Sequence, residues 1–205
     1  MDRRNFLTLS GVAAVAGVTP STAHVNGTEH EHDADGKVIP AGPMLKRKIP
    51  STGEMLPAVG LGTSGPFEVG TDAAARAPLR EVLSSFFGAG ATLIDTSPMY
   101  STAEAVLGDL LTAEQQSKAF IATKVWTPGS GVHGEQKGIE QMQRSMALLE
   151  HPRVELMQVH NLVDLDAHLK TLRRWKEEGK IKYLGVTHYT TSSYPDLISI
   201  IGREK

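Results

Sequence analysis

Five short apolar runs, each followed by a stretch with helical periodicity, set the limits on what this chain can fold into. The runs cover residues 59–63, 91–95, 119–123, 154–159 and 181–186. Helical patterns follow at 73–87, 101–111, 135–149, 165–178 and 192–201. Their apolar residues recur every three or four positions, as in Leu79, Val82, Leu83 and Phe86, or Leu165, Leu169, Leu172 and Trp175. A strand that returns through a helix to the next strand pairs with it in parallel, so the pattern predicts βαβ units. Equal spacing, with polar groups repeatedly at the C-terminal ends of the strands, favours a (β/α)8 TIM barrel over an open sheet. Ahead of the first run, Lys46 to Ile49 and Met55 to Pro57 flank Ser51-Thr52-Gly53-Glu54, which predicts an N-terminal β-hairpin. A complete barrel takes about 250 residues, and about 160 are available here. The expectation is therefore an incomplete barrel of about five βα units, from a truncated sequence or a broken reading frame.

The part before the hairpin reads differently. Met1-Asp2-Arg3-Arg4-Asn5-Phe6-Leu7 leads into an apolar run that ends at Val18, followed by Thr19-Pro20-Ser21-Thr22-Ala23. A charged head, a short apolar body and a small-residue exit are the layout of a secretory signal. The run is too short to span a bilayer as a stable anchor. Consecutive arginines before Asn-Phe-Leu predict a twin-arginine signal over residues 1–23. The protein is then expected in the periplasm or secreted, with the twin-arginine machinery as its export partner. Residues 24–43 read as a Gly/Pro-rich linker, and the barrel portion as 44–205. The linker carries Glu29-His30-Glu31-His32-Asp33, an alternation that could hold a transition metal weakly. A solvated spacer is the preferred reading, because no apolar shell surrounds these residues. The chain has no cysteine, which excludes disulfides and thiolate metal sites, and its formal net charge of -2 gives no basic field for nucleic acid.

The residues just past each strand carry the chemistry. Asp95 ends the second strand and Tyr100 lies five residues on. Ser101-x-x-Glu104 then reads as a capping box opening the next helix. Lys124 follows the third strand and His160 the fourth. A barrel gathers these ends around one mouth. A phenol is a weak acid near neutral pH, and a nearby ammonium stabilises its phenolate. A carboxylate can hold that ammonium, and an imidazole can orient a carbonyl. Such a set makes a proton donor for a carbonyl that receives hydride from a cofactor. His133, His151 and His168 read as surface residues.

Gly60-Leu61-Gly62-Thr63, the segment Ile94-Asp95-Thr96-Ser97-Pro98-Met99-Tyr100, Thr123-Lys124 and Val159-His160 together resemble the aldo-keto reductase superfamily, in order and on the matching elements. The resemblance covers residues 45–201. It implies a (β/α)8 barrel that binds NADPH, with NADH possible, and reduces an aldehyde or ketone to an alcohol. By position it makes Tyr100 the proton donor, Lys124 and Asp95 its tuning pair, and His160 the carbonyl-orienting residue. It places Gly62, Thr63, Asp95, Thr187 and His188 at the cofactor and Trp126 and Asn161 in the substrate pocket, and it implies no metal. Three positions depart from the family pattern. Ser101 stands for a glycine, Asn161-Leu162 for Trp-Pro after the histidine, and Thr187-His188 for Ser-Asn.

Two rival readings are separable. A metal-dependent hydrolase barrel would use His30-x-His32, and its activity would need metal. An exported, non-catalytic ligand-binding or interaction protein would bind nucleotide or carbonyl compounds without consuming NADPH.

Overall fold

Alternation of short strands and helices recurs in the computed structural model, which describes residues 42–128 and 134–204. Residues 1–23, the linker histidines His30 and His32, and His133 lie outside the described residues. A hairpin of β1 (Lys46–Lys48) and β2 (Met55–Pro57) precedes the sheet. Gly53 turns it at φ 77°, a left-handed conformation that glycine adopts without strain. Glu54, beside the turn, accepts from Lys182 and from the Tyr183 hydroxyl, and those bonds hold its carboxyl below the usual range.

The sheet has five strands in sequence order, all parallel: β3 (Gly60–Gly62), β4 (Leu93–Asp95), β5 (Phe120–Val125), β6 (Val154–His160) and β7 (Ile181–Thr187). The helices between them are α1 (Ala73–Gly88), α2 (Ala103–Leu110), α3 (Ala113–Lys118), α4 (Gly134–Leu148), α5 (Leu165–Glu177) and, after β7, α6 (Tyr194–Arg203). This is the expected α/β order. Among the described residues β3 and β7 are the edges of the sheet, and no helix is long and apolar enough to cross a membrane.

Strand alternation divides the sheet into two faces. Ile94, Ile121, Val125, Met157 and Val159 are fully buried in the core with Leu83, Leu107, Met142, Leu169 and Leu172 of the helices. The other face carries Leu93, Asp95, Leu156, Gln158, Tyr183 and Thr187, all partly exposed. Core burial therefore anchors one face and leaves the other available for chemistry.

Three expectations are corrected here. The predicted helix 101–111 begins later, at Ala103, and Ser101 is not its cap. Ser101 sits at φ 44°, and Glu104 turns into the core instead of back to the helix start. The capping box in this region belongs to α3, where Thr112 and Gln115 bond each other's backbone reciprocally. Val82, placed on the inward stripe of α1 by its spacing, is 43% exposed. His168, read as a surface residue, is 0% exposed. Its position follows Asp164 by one helical turn; Gly138 of α4 leaves room for its ring and Gly134 for the Asp164 carboxylate. His151 is half-buried and bonded to Gln116.

Candidate active site

β5 shows how the sheet aims its side chains. Thr123 turns towards the helices and donates to Glu104 of α2 at 2.6 Å, and Val125 lies beside Gly138 of α4. Lys124, between them, projects to the opposite face. The register sets Asp95 beside Ala122, Lys124 beside Gln158, and His160 beside Thr187. Asp95, Lys124, His160 and Thr187 thus form a band at the C-terminal ends of adjacent strands.

Lys124 is 4% exposed. A buried ammonium is costly unless paired. Its Nζ donates to Asp95 Oδ2 at 2.7 Å and to the Thr96 carbonyl at 2.8 Å. The same Nζ lies 5.0 Å from the centroid of the Tyr100 ring, within range of cation–π attraction. Tyr100 is carried there by the turn after β4, closed by Tyr100 N donating to the Ser97 carbonyl at 3.0 Å. Asp95, Tyr100 and Lys124 therefore meet as the sequence led one to expect.

His160 closes the band at 9% exposure. Its Nδ1 is buried without a partner. Burial holds its pKa below the ordinary value, the charges of Lys124 and His188 act in the same direction, and Asp95 opposes them. Burial therefore favours the neutral ring over the imidazolium. Asn161 and Leu162 follow at φ 54° and 58°, and Asn161 N donates to the Thr187 carbonyl at 2.8 Å, tying the ends of β6 and β7 together. Asn161 Oδ1 and Thr96 Oγ1 are also buried without partners.

The remaining sequence-named residues divide. Gly62 is exposed, with no atom within 4 Å of where a Cβ would lie. Thr63 is fully buried, and its hydroxyl donates to the Asp95 carbonyl at 3.1 Å. It supports Asp95 from beneath. Both ring nitrogens of His188 are engaged within its own turn, Nδ1 by Thr190 and Nε2 by Ser193, and the ring stacks on Tyr189. Trp126 is partly exposed, one residue past β5.

One member of the site region escaped sequence reasoning. Glu104, 3% exposed, accepts from Thr123 at 2.6 Å and from Ser145 of α4 at 2.9 Å. Burial raises its carboxyl above the usual range; the two hydroxyl bonds and the charges of Lys124 and Arg144 work against that rise. It borders a cavity of about 510 Å³ with Pro98, Ser101, Thr127 and Arg144. The signal was its place on the apolar stripe beside Val106, Leu107 and Leu110. The capping pattern offered a simpler account and masked it.

The Aldo/keto reductase family profile matches residues 58–199. Methylglyoxal reductase of Escherichia coli K12 is 29% identical over 164 residues, 78% of this chain and 55% of that protein. A Pseudomonas aeruginosa structure assigned to the aldo-keto reductases superposes with a TM-score of 0.59 at 29% identity, covering 76% of this chain and 64% of that one. An aldo/keto reductase of Klebsiella pneumoniae, solved with NADP and acetate, superposes at 0.56 and 26% identity, covering 68% and 48%. The chain spans about half the length of the curated relatives it matches.

Proposed function

This chain belongs to the aldo/keto reductase family, and we propose that it serves the NADPH-dependent reduction of an aldehyde or ketone to an alcohol. The observation that carries the reading is the buried Lys124 ammonium, held by Asp95 and Thr96 with the Tyr100 ring across it. In this reading Tyr100 gives its proton to the carbonyl oxygen of the substrate. Lys124 stabilises the phenolate left behind, and Asp95 keeps Lys124 within reach. General acid catalysis of this kind contributes about 10²–10⁴-fold.

His160 orients the carbonyl. A buried N–H without a partner is rarer than a buried acceptor without one, so the proton of the neutral ring belongs on Nε2, with Nδ1 the orphan. Nε2–H is then the donor to the carbonyl oxygen. NADPH, when bound, supplies the hydride. Asn161 Oδ1, left unpartnered at this end, can accept from the amide of its carboxamide. Thr187 and the open surface at Gly62 flank that place, and Trp126 and Asn161 bound the substrate side. His188 reaches a ligand only by leaving its bonds to Thr190 and Ser193. On the strength of residues 1–23 we also assign export by the twin-arginine route to the periplasm or beyond. Exchange of Arg3 and Arg4 for lysine tests it, and a variant that still leaves the cytoplasm refutes it.

Tyr100→Phe tests the chemistry. NADPH consumption with a panel of aldehydes should fall by about 10²-fold or more, with NADPH affinity, read by nicotinamide fluorescence, unchanged. Retained turnover would sink the assignment.

A further inference from the structure

The segment after β5 is held by side chains that the proposed proton transfer does not use. Trp126 N donates to Gln141 Oε1 at 2.7 Å, and Gln141 Nε2 donates to the Trp126 carbonyl at 2.9 Å. A primary amide in that pose imitates one rung of a neighbouring strand, because it offers one donor and one acceptor side by side. One residue on, the Thr127 hydroxyl donates to Asp164 Oδ2 at 3.2 Å and lies 2.9 Å from His168 Nε2. Its single proton is committed to Asp164, so Nε2 of His168 is the donor in the second bond. Nδ1 is then the unprotonated, unpartnered nitrogen of a neutral ring, and burial drives the His168 pKa down accordingly.

These grips require α4 to lie close to the start of α5. A Cβ on Gly138 would fall 2.4 Å from His168 Cε1, and one on Gly134 would fall 2.7 Å from Asp164 Oδ2. Positions 134, 138 and 141 share one helix stripe, so the glycines that admit Asp164 and His168 also bring Gln141 to Trp126. Trp126 is two residues beyond Lys124. Strand alternation sends its indole to the face that carries Lys124 and Asp95.

We propose that Gln141 is a positioning residue for substrate selection: by fixing the Trp126 backbone it holds the indole at the substrate side of the mouth. The proposal rests on the reductase reading of this site. Gln141→Met removes both bonds and keeps a good helix former, and Gln141→Glu keeps one acceptor and loses the donor. Trp175 is buried, so acrylamide quenching of tryptophan fluorescence reports chiefly on Trp126. Gln141→Met should quench more readily than the wild-type chain. Its KM for a bulky aromatic aldehyde should rise about tenfold, the effect of losing two neutral hydrogen bonds, with kcat within about twofold. Gln141→Glu should regain wild-type quenching when acid protonates its carboxyl and restores the donor, whereas Gln141→Met should not. Unchanged quenching in Gln141→Met, or an equal fall in kcat and kcat/KM, would overturn the proposal. Absence of turnover in the wild-type chain would overturn the reductase reading, and the quenching arm would still decide whether Gln141 holds Trp126.

Discussion

Replacing Gly108 with alanine sets two effects of opposite sign against each other. In an exposed helix interior alanine is about 1 kcal/mol better than glycine. Gly108 is buried where α2 meets the end of α4. A Cβ there would lie 2.1 Å from the Leu148 carbonyl oxygen and 3.2 Å from the carbonyl carbons of Leu148 and Leu149. Carbon and oxygen sit comfortably at about 3.3 Å, so the two segments must part by about 1 Å. The opposing atom is backbone and has no rotamer to swing aside. Val106, Leu107, Met142 and Leu149 around it are fully buried. A gap of that size forfeits about a quarter to a half of the dispersion energy at each contact it opens. Overpacking of this kind costs about 3 kcal/mol at the upper end of its usual range, and subtracting the helix gain leaves a net loss of about 2 kcal/mol. The control is Gly202→Ala in α6, an exposed site with no atom within 4 Å of its Cβ, which should gain up to about 1 kcal/mol. Urea unfolding followed by circular dichroism reads both as shifts in midpoint at constant slope. Tyr100 lies three residues before α2, so under the proposed reductase function a displacement near 1 Å should also lower carbonyl turnover, by up to about 10²-fold. A Gly108→Ala chain as stable as the wild type would refute the packing argument.

The carboxyl of Glu104 is raised by burial, so its stability contribution is full below the unfolded pKa and is lost as pH rises through the folded one. Glu104→Gln should therefore be more stable than the wild type at neutral pH, with the gain vanishing below about pH 4; a gain that persists in acid contradicts this. Asp95→Asn keeps an amide oxygen that can accept from the buried Lys124 ammonium but removes the carboxylate charge that pairs it. Because the Asp95 side chain is 44% exposed, the loss in urea unfolding should be about 1–3 kcal/mol, below that of a fully buried pair. Ser101→Gly relieves a left-handed backbone that costs an L-residue about 1 kcal/mol. The greater freedom of glycine in the unfolded chain takes back about half of that, so thermal unfolding should show a small net stabilisation.

The sequence carried the order of elements because strand and helix periodicities are local. Apolar runs of five or six residues between helical stripes admit few arrangements, and parallel pairing follows from the length of each crossover. Asp95, Lys124 and His160 were legible for the same reason: each lies at or next to the C-terminal end of a strand, and parallel strands bring those ends together. Other features depend on what lies across a helix interface, which no local pattern encodes. Glu104 looked like a cap and became a buried acceptor, because Thr123 and Ser145 present hydroxyls where the helix start does not. His168 looked like a surface residue because it is polar, although position 168 lies on the stripe of Leu165, Leu172 and Trp175. Gly134 and Gly138 decided otherwise by leaving room for its neighbourhood to close. The Trp126 clamp needed α4, the end of β5 and the start of α5 in one place. The chain by itself determined which residues stand at the strand ends, since alternation and length are properties of the chain. Tertiary structure alone decided which of them are buried, paired or left without a partner, because desolvation and close approach belong to surfaces that form only on packing.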